Sequence, residues 1–256
     1  MPKYEEVSQK YPSLNDKEIE KIRLGVILPS VNTVVEPWFS KILPENASLH
    51  ASRMFLSANL SPESLIEMDR CDGVAAALHL KSCKPKVIAY CCTASSIVQG
   101  QKYDQHLMAE LSKITEIPCF SAAGAIIDAL ESLDISRISI VSPYTDIIDH
   151  AEHQFFEEAG YKVLSSSNLG IEDSYRLAEP SPKEIYDLAI RGWKSGSEAL
   201  LISCLNMNSQ KVVEMLENVI GCPVITSTTA TLWKLMREAG LYEQVPGYGY
   251  LLGKHR

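Results

Sequence analysis

Two cysteines in matching settings are the residues best able to do chemistry. Cys92 follows Lys86-Val87-Ile88-Ala89-Tyr90, an apolar, β-rich run that reads as a buried strand. It opens the small turn Thr93-Ala94-Ser95-Ser96, and a helix over 103–114 follows, with Leu107, Met108, Leu111 and Ile114 at helical spacing. Cys204 ends the run Ala199-Leu200-Leu201-Ile202-Ser203 in the same way. Ligands of open α/β sheets bind at such carboxyl strand ends. Turn N–H groups there can hold an anion and favour thiolate over thiol. Taken singly, Cys91, Cys92 or Cys204 reads as a small core residue, as free cysteines usually are. A matched pair facing one carbon from opposite sides suits more: one thiolate as base or nucleophile, the other thiol as acid. With an unperturbed pKa near 8.5, one of them must be depressed to act at neutral pH. The turn after Cys92 is small, whereas Leu205 and Met207 follow Cys204. The lower pKa is therefore expected at Cys92, as nucleophile, with Cys204 as neutral acid.

The pairing rests on an internal repeat. Strands are expected at 23–29, 51–56, 86–90 and 117–121, with helices through Trp38 and Phe39, over 61–80 and over 103–114. The pattern restarts after an alanine-rich helix at 122–130. Strands follow at 137–143, 161–165, 199–203 and 222–227, with helices at 147–160, 182–196, 210–220 and 229–239. Arg23 and Pro29 recur as Arg137 and Pro143, both displaced by 114; Cys92 recurs as Cys204, displaced by 112; Pro118 recurs as Pro223, displaced by 105. Alternating strands and helices imply parallel sheets. The expected architecture is α/β, with two pseudo-symmetric lobes of parallel sheets flanked by helices and a cleft between them. Residues 1–120 form the first lobe, 227–256 return to it, and 121–226 form the second. Residues 1–22 form an N-terminal arm with a helix capped near Asn15, and such an arm leaves a homodimer open.

Polar companions fall at corresponding strand ends. Ser30 and Asn32 follow the first strand, Tyr144 the fifth, Thr93 and Ala94 follow Cys92, and Leu205 and Asn206 follow Cys204. Together these neutral groups suit a carboxylate or oxyanion. Ser30, Ser96 and Asn208 also read as helix caps, and Asp146 and Glu36 as solvated or dipole-compensating carboxylates.

Composition narrows the partners. The chain has 256 residues, 46% hydrophobic and 22% charged, an ordinary soluble composition. A net charge of −8 argues against nucleic acid, so an anionic substrate must be attracted locally. No apolar run approaches the roughly 18 residues of a membrane span, and the charged start shows no signal peptide. Seven cysteines without framework spacing point to reduced thiols in a cytoplasm. No His or carboxylate stands at zinc-ligand spacing from either central cysteine. No metal is expected.

These residues resemble a known family. The paired-cysteine repeat is similar to the aspartate/glutamate racemase superfamily. Pro29-Ser30-Val31-Asn32-Thr33, Cys92-Thr93, Tyr144 and Cys204 resemble its maleate cis-trans isomerase and arylmalonate decarboxylase branch, over about 23–240. The resemblance implies a cofactor-free enzyme with a small carboxylate substrate bound between two lobes. It implies Cys92 as nucleophile, Cys204 as proton donor, and Asn32 and Tyr144 as carboxylate binders. In the decarboxylases the Cys92 position is typically glycine, which favours isomerisation here. The isomerases usually carry an asparagine where Ser174 aligns, with Asn168 nearby but out of register. The resulting expectation is isomerisation of a small unsaturated dicarboxylate, maleate to fumarate being the type reaction. A racemase of amino-acid or hydantoin type, an arylmalonate-type decarboxylase and a non-catalytic binding protein are the alternatives.

Overall fold

From Leu24 onward, Ile22–Pro29 (β1) is buried at every residue, as a strand covered on both faces must be. The computed structural model describes residues 1, 3–11 and 21–254 and shows why. β1 pairs in parallel with Ala47–Met54 (β2) on one side, from Ile22 opposite Ala47 to Pro29 opposite Met54. On its other side lies Val87–Tyr90 (β3), followed by Cys119–Ser121 (β4), in the order β2-β1-β3-β4. The second half repeats this with Arg137–Ser142 (β5), Lys162–Asn168 (β6), Ala199–Ile202 (β7) and Val224–Thr226 (β8), ordered β6-β5-β7-β8. Leu24 faces Val87 in the first sheet and Ile138 faces Ala199 in the second. Cys92 and Cys204 each follow the third strand of their sheet by two residues, so they occupy equivalent places.

The helices are Tyr4–Lys10 (α1), Val35–Ile42 (α2), Pro62–Met68 (α3), Val74–Lys81 (α4), Thr93–Gln99 (α5), Gln101–Thr115 (α6), Ala122–Ser132 (α7), Asp146–Glu158 (α8), Pro182–Gly192 (α9), Val213–Ile220 (α10), Ser227–Glu238 (α11) and Tyr250–Gly253 (α12). The helices after the two fourth strands make the seam. α7 and α11 pack on each other; α7 touches β4 and β8, and α11 touches β8 and β3. Ala122, Ala123, Ala125 and Ala129 of α7 are fully buried, and such small side chains permit close approach. One apolar core runs from Leu28 and Phe39 through Ile126 and Leu235 to Ile140 and Phe156, so the halves share an interior.

Several boundaries differ from expectation for local reasons. β2 starts four residues earlier and stops two earlier than expected. It is an edge strand with polar Ser48, His50 and Ser52, so its apolar signal is weak. The helix over 61–80 contains a π-helical turn, Asp69–Gly73. α9 ends at Gly192, where a Cβ would stand 2.3 Å from Val141 Cγ1, so only glycine lets the helix lie this close to β5. α10 is preceded by a 3-10 turn, Ser209–Lys211. α11 begins at Ser227 rather than Thr229, because Thr226 and Thr229 cap it reciprocally. The helix expected near Asn15 falls largely outside the described residues, and Ile22, its expected end, belongs to β1.

Candidate active site

A narrow cleft, about 360 Å³ when the open solvent at its mouth is included, lies at the carboxyl ends of β1, β3, β5 and β7, and both Cys92 and Cys204 line it. Cys92 is extended and directly precedes α5. Alternate side chains of a strand face opposite ways, so Cys91 joins the shared core while Cys92 turns to the other side. Cys204 has φ +84, in the left-handed region that a non-glycine residue rarely adopts. Hydrogen bonds hold it there. The Ser203 N–H donates to Val141 O at 2.8 Å, and the Cys204 N–H donates to Ser227 Oγ at 3.0 Å. Ser227 Oγ also accepts the Thr93 hydroxyl at 3.1 Å. One fully buried serine thus joins the turns of both cysteines. Sequence reasoning missed it, having placed Ser227 at a strand end.

Burial pushes both thiols above their ordinary value. Cys204 rises to about 11, held down by the Asn206 N–H, the Tyr144 hydroxyl and the Met207 N–H. Cys92 rises further, because the Asp69 carboxylate adds to burial and only the Ser95 N–H offers appreciable relief. More donors therefore surround the Cys204 sulfur than the Cys92 sulfur, which turn composition did not suggest. The small turn turns one N–H towards its sulfur, whereas the bulkier turn supplies two and gains the tyrosine hydroxyl. Negative charge on Cys204 also raises Cys92, so the two sulfurs are near neighbours in the cleft.

Asp69 is a second residue that the sequence did not reveal. It opens the π-helical turn and accepts hydrogen bonds from Ser95 Oγ (2.5 Å), Gln99 Nε2 (2.8 Å), Tyr103 Oη (3.1 Å) and the Tyr90 hydroxyl. Asp104 likewise accepts from Ser96 Oγ (2.6 Å) and Ser121 Oγ (2.7 Å). Ser95 and Ser96 therefore anchor α5 behind Cys92. Ser96 is no cap, and Asn208 precedes the 3-10 turn without a side-chain cap bond.

The other expected site residues divide. Asn32, Thr93, Ala94, Tyr144, Leu205 and Asn206 all line the cleft. Asn32 Oδ1 accepts the N–H groups of Val34 and Val35, each at 3.0 Å, which leaves its Nδ2 donors for a ligand. Burial keeps the Tyr144 phenol protonated, so it serves as a donor. The Asn206 side chain is engaged elsewhere: Oδ1 accepts the Thr33 N–H at 2.9 Å and Nδ2 donates to Val31 O at 3.1 Å. It clamps the first half's loop, and its backbone N–H is what faces Cys204. Ser30 is a correction. It is exposed, lies outside the lining, and accepts the Leu56 N–H at 3.1 Å. Arg53, also unforeseen, donates to the carbonyls of Ser30 and Asn32 at 3.0 Å each and pairs with Glu36, holding the loop that presents Asn32. Asn168 donates to Asp146.

Ser174 turns away from the cleft. Its hydroxyl donates to Ser57 O at 2.6 Å and its N–H to Ala58 O at 2.8 Å, while the Leu60 N–H donates to Glu172 O at 2.8 Å. Loops from the two halves thereby latch together over the site.

The comparisons agree with this geometry. The chain is 27% identical to a maleate isomerase of Geobacillus stearothermophilus, over 91% of this chain and 98% of the relative. A maleate isomerase Iso variant from Pseudomonas putida, solved with maleate, superposes with a TM-score of 0.86 at 27% identity, covering 90% of this chain and 97% of that one. A mutant Nocardia farcinica maleate cis-trans isomerase, solved with a covalently bound succinylcysteine intermediate, gives a TM-score of 0.86 at 26% identity, covering 91% and 99%. The arylmalonate decarboxylase family profile matches residues 24–252. With that span matched and the paired strand ends in place, the chain belongs to the arylmalonate decarboxylase family.

Proposed function

We propose that the protein is a cofactor-independent cis-trans isomerase of a small unsaturated dicarboxylate, with maleate to fumarate as the type reaction. The observation that carries this reading is that two buried thiols from equivalent strand ends line one cleft. A succinylcysteine in a similar structure is what thiol addition to maleate produces.

The pair works as a single shared negative charge. The charge begins on Cys204, whose thiolate takes the proton of Cys92 and becomes the acid. The Cys92 thiolate adds to one alkene carbon, and the π pair moves to the other carbon, which takes the proton of Cys204. The central bond is now single and rotates. Cys204 then removes the proton, the C–S bond breaks, and the trans acid leaves with Cys92 again a thiolate. Asn32 Nδ2, the Tyr144 hydroxyl and N–H groups near Thr93, Ala94 and Leu205 receive carboxylate charge. Racemisation of an amino acid would need an anion for the ammonium, and among the described residues no Asp or Glu lines the cleft.

Among the described residues no helix is long and apolar enough to cross a membrane. The reliance on reduced thiols fits a cytoplasmic setting. The contact of α11 with β3 supports reading 227–256 with 1–120 as one lobe and 121–226 as the other. The test is maleate loss by absorbance with fumarate identified by proton NMR. Cys92→Ala and Cys204→Ala should each lower kcat by roughly a thousandfold or more. Full activity in either variant would end the mechanism.

A further inference from the structure

The lining of the cleft is of two kinds. The donors come from strand ends: Asn32, Tyr144 and the turns at Cys92 and Cys204. The rest of the lining comes mainly from the latched loops and α3, and it is aliphatic. Leu56 and Leu60 precede α3, Leu65 lies on it, and Leu177 follows the Ser174 latch, with Val31 beside Asn32. The four leucines are each 4% exposed or less. Among the described residues no Lys, Arg or His lines the cleft, and Ser174 gives its hydroxyl to Ser57 O.

A dicarboxylate with bare alkene carbons leaves that aliphatic lining with nothing to bury. A carboxylate turned towards it would be charged and unpaired, which is strongly unfavourable. An alkyl group would occupy the same space favourably. Resting on the isomerase reading above, we infer that the preferred substrate is a cis-unsaturated dicarboxylate carrying a small alkyl group on one alkene carbon, seated against Leu56, Leu60, Leu65 and Leu177. Cys92 adds to the unsubstituted carbon. The electron pair moves to the alkyl-bearing carbon, which takes the Cys204 proton and returns it after rotation. Atoms and charge balance with no co-reactant.

The experiment compares kcat/KM for maleate, 2-methylmaleate and 2-ethylmaleate, with products followed by proton NMR. One methylene in an apolar pocket is worth roughly 10-fold or more, so at least one alkylated acid should exceed maleate by that factor. If maleate is equal or better, this proposal fails and the isomerase reading stands. If none of the three turns over, both fail. Leu177→Asn should cut the ratio of alkylated acid to maleate by about 10-fold or more. That ratio is internal to each sample, so partial loss of folded protein does not affect it, and an unchanged ratio overturns the proposal. Should Leu177→Asn not fold, Leu60→Ala provides the same comparison, and a ratio unchanged there is equally fatal.

Discussion

The backbone N–H of Cys204 donates to the hydroxyl oxygen of Ser227 at 3.0 Å, across 23 residues of sequence. This bond helps hold a non-glycine residue at φ +84, a conformation that costs on the order of 1–3 kcal/mol. The same oxygen takes the Thr93 hydroxyl, so Ser227 sets the separation of the two thiol turns.

Ser227→Ala should therefore damage catalysis as well as stability. It strands a buried N–H and a buried hydroxyl, at a cost of about 1–3 kcal/mol. It also frees the Cys204 turn, and kcat/KM should drop about 10- to 100-fold. Urea unfolding and steady-state kinetics on the same preparation check both effects. Activity within twofold of the parent would mean that the Cys204 geometry is set without Ser227.

The thiols should ionise in the order of their surroundings. In single-cysteine variants, alkylation of Cys204 should rise at lower pH than that of Cys92, since burial and Asp69 together raise Cys92 more. Thiolate is the reactive form and both values are raised, so kcat/KM should still be climbing at pH 9. Tyr144→Phe removes one donor from the Cys204 sulfur and should shift its alkylation profile upward. Loss of a hydrogen bond to charge costs roughly 1.5–3 kcal/mol, so kcat/KM should fall about 10- to 100-fold with little change in Tm. An unmoved profile with normal kinetics would make Tyr144 a packing residue.

Glu152 is a cost that the fold carries. It is fully buried on α8, and neither carboxyl oxygen has a hydrogen-bond partner among the described residues. Burial pushes its carboxyl from 4.5 to about 8, and the Ser203 hydroxyl is too poorly placed to offset this. A value raised on folding means that the unfolded chain ionises first. Stability that Glu152 allows below pH 4.5 is therefore lost steadily as pH rises towards 8. Glu152→Gln removes this dependence and should stabilise the protein at pH 7 by about 3 kcal/mol at most. Urea midpoints for both proteins at pH 5 and pH 8 decide it. A pH dependence shared by parent and variant would sink the idea.

Much of the fold was legible because its signals are local. Buried strands such as 23–29 and 199–203 are continuous apolar runs, and the recurrence of Arg, Pro and Cys at nearly one offset exposed the duplication. Cys92, Cys204, Asn32 and Tyr144 were found because strand ends are where parallel sheets collect polar groups. The role of Ser227 was not legible, since its partners lie 134 and 23 residues away and its helix starts two residues before the apolar pattern does. Asp69 sits 26 residues from Ser95, within what reads as a plain surface helix. The engagement of Asn206 with Val31 and Thr33 depends on how the halves meet. The groups that surround each thiol were not legible for the same reason. Turn composition is written in the sequence, but desolvation and the nearness of Asp69, Tyr144 and Glu152 exist only once distant segments pack. Sequence alone brought Asn32, Cys92, Tyr144 and Cys204 to strand ends; the tertiary structure decided that Ser30 stays outside the cleft, that four distant leucines join it, and what each residue is bonded to there.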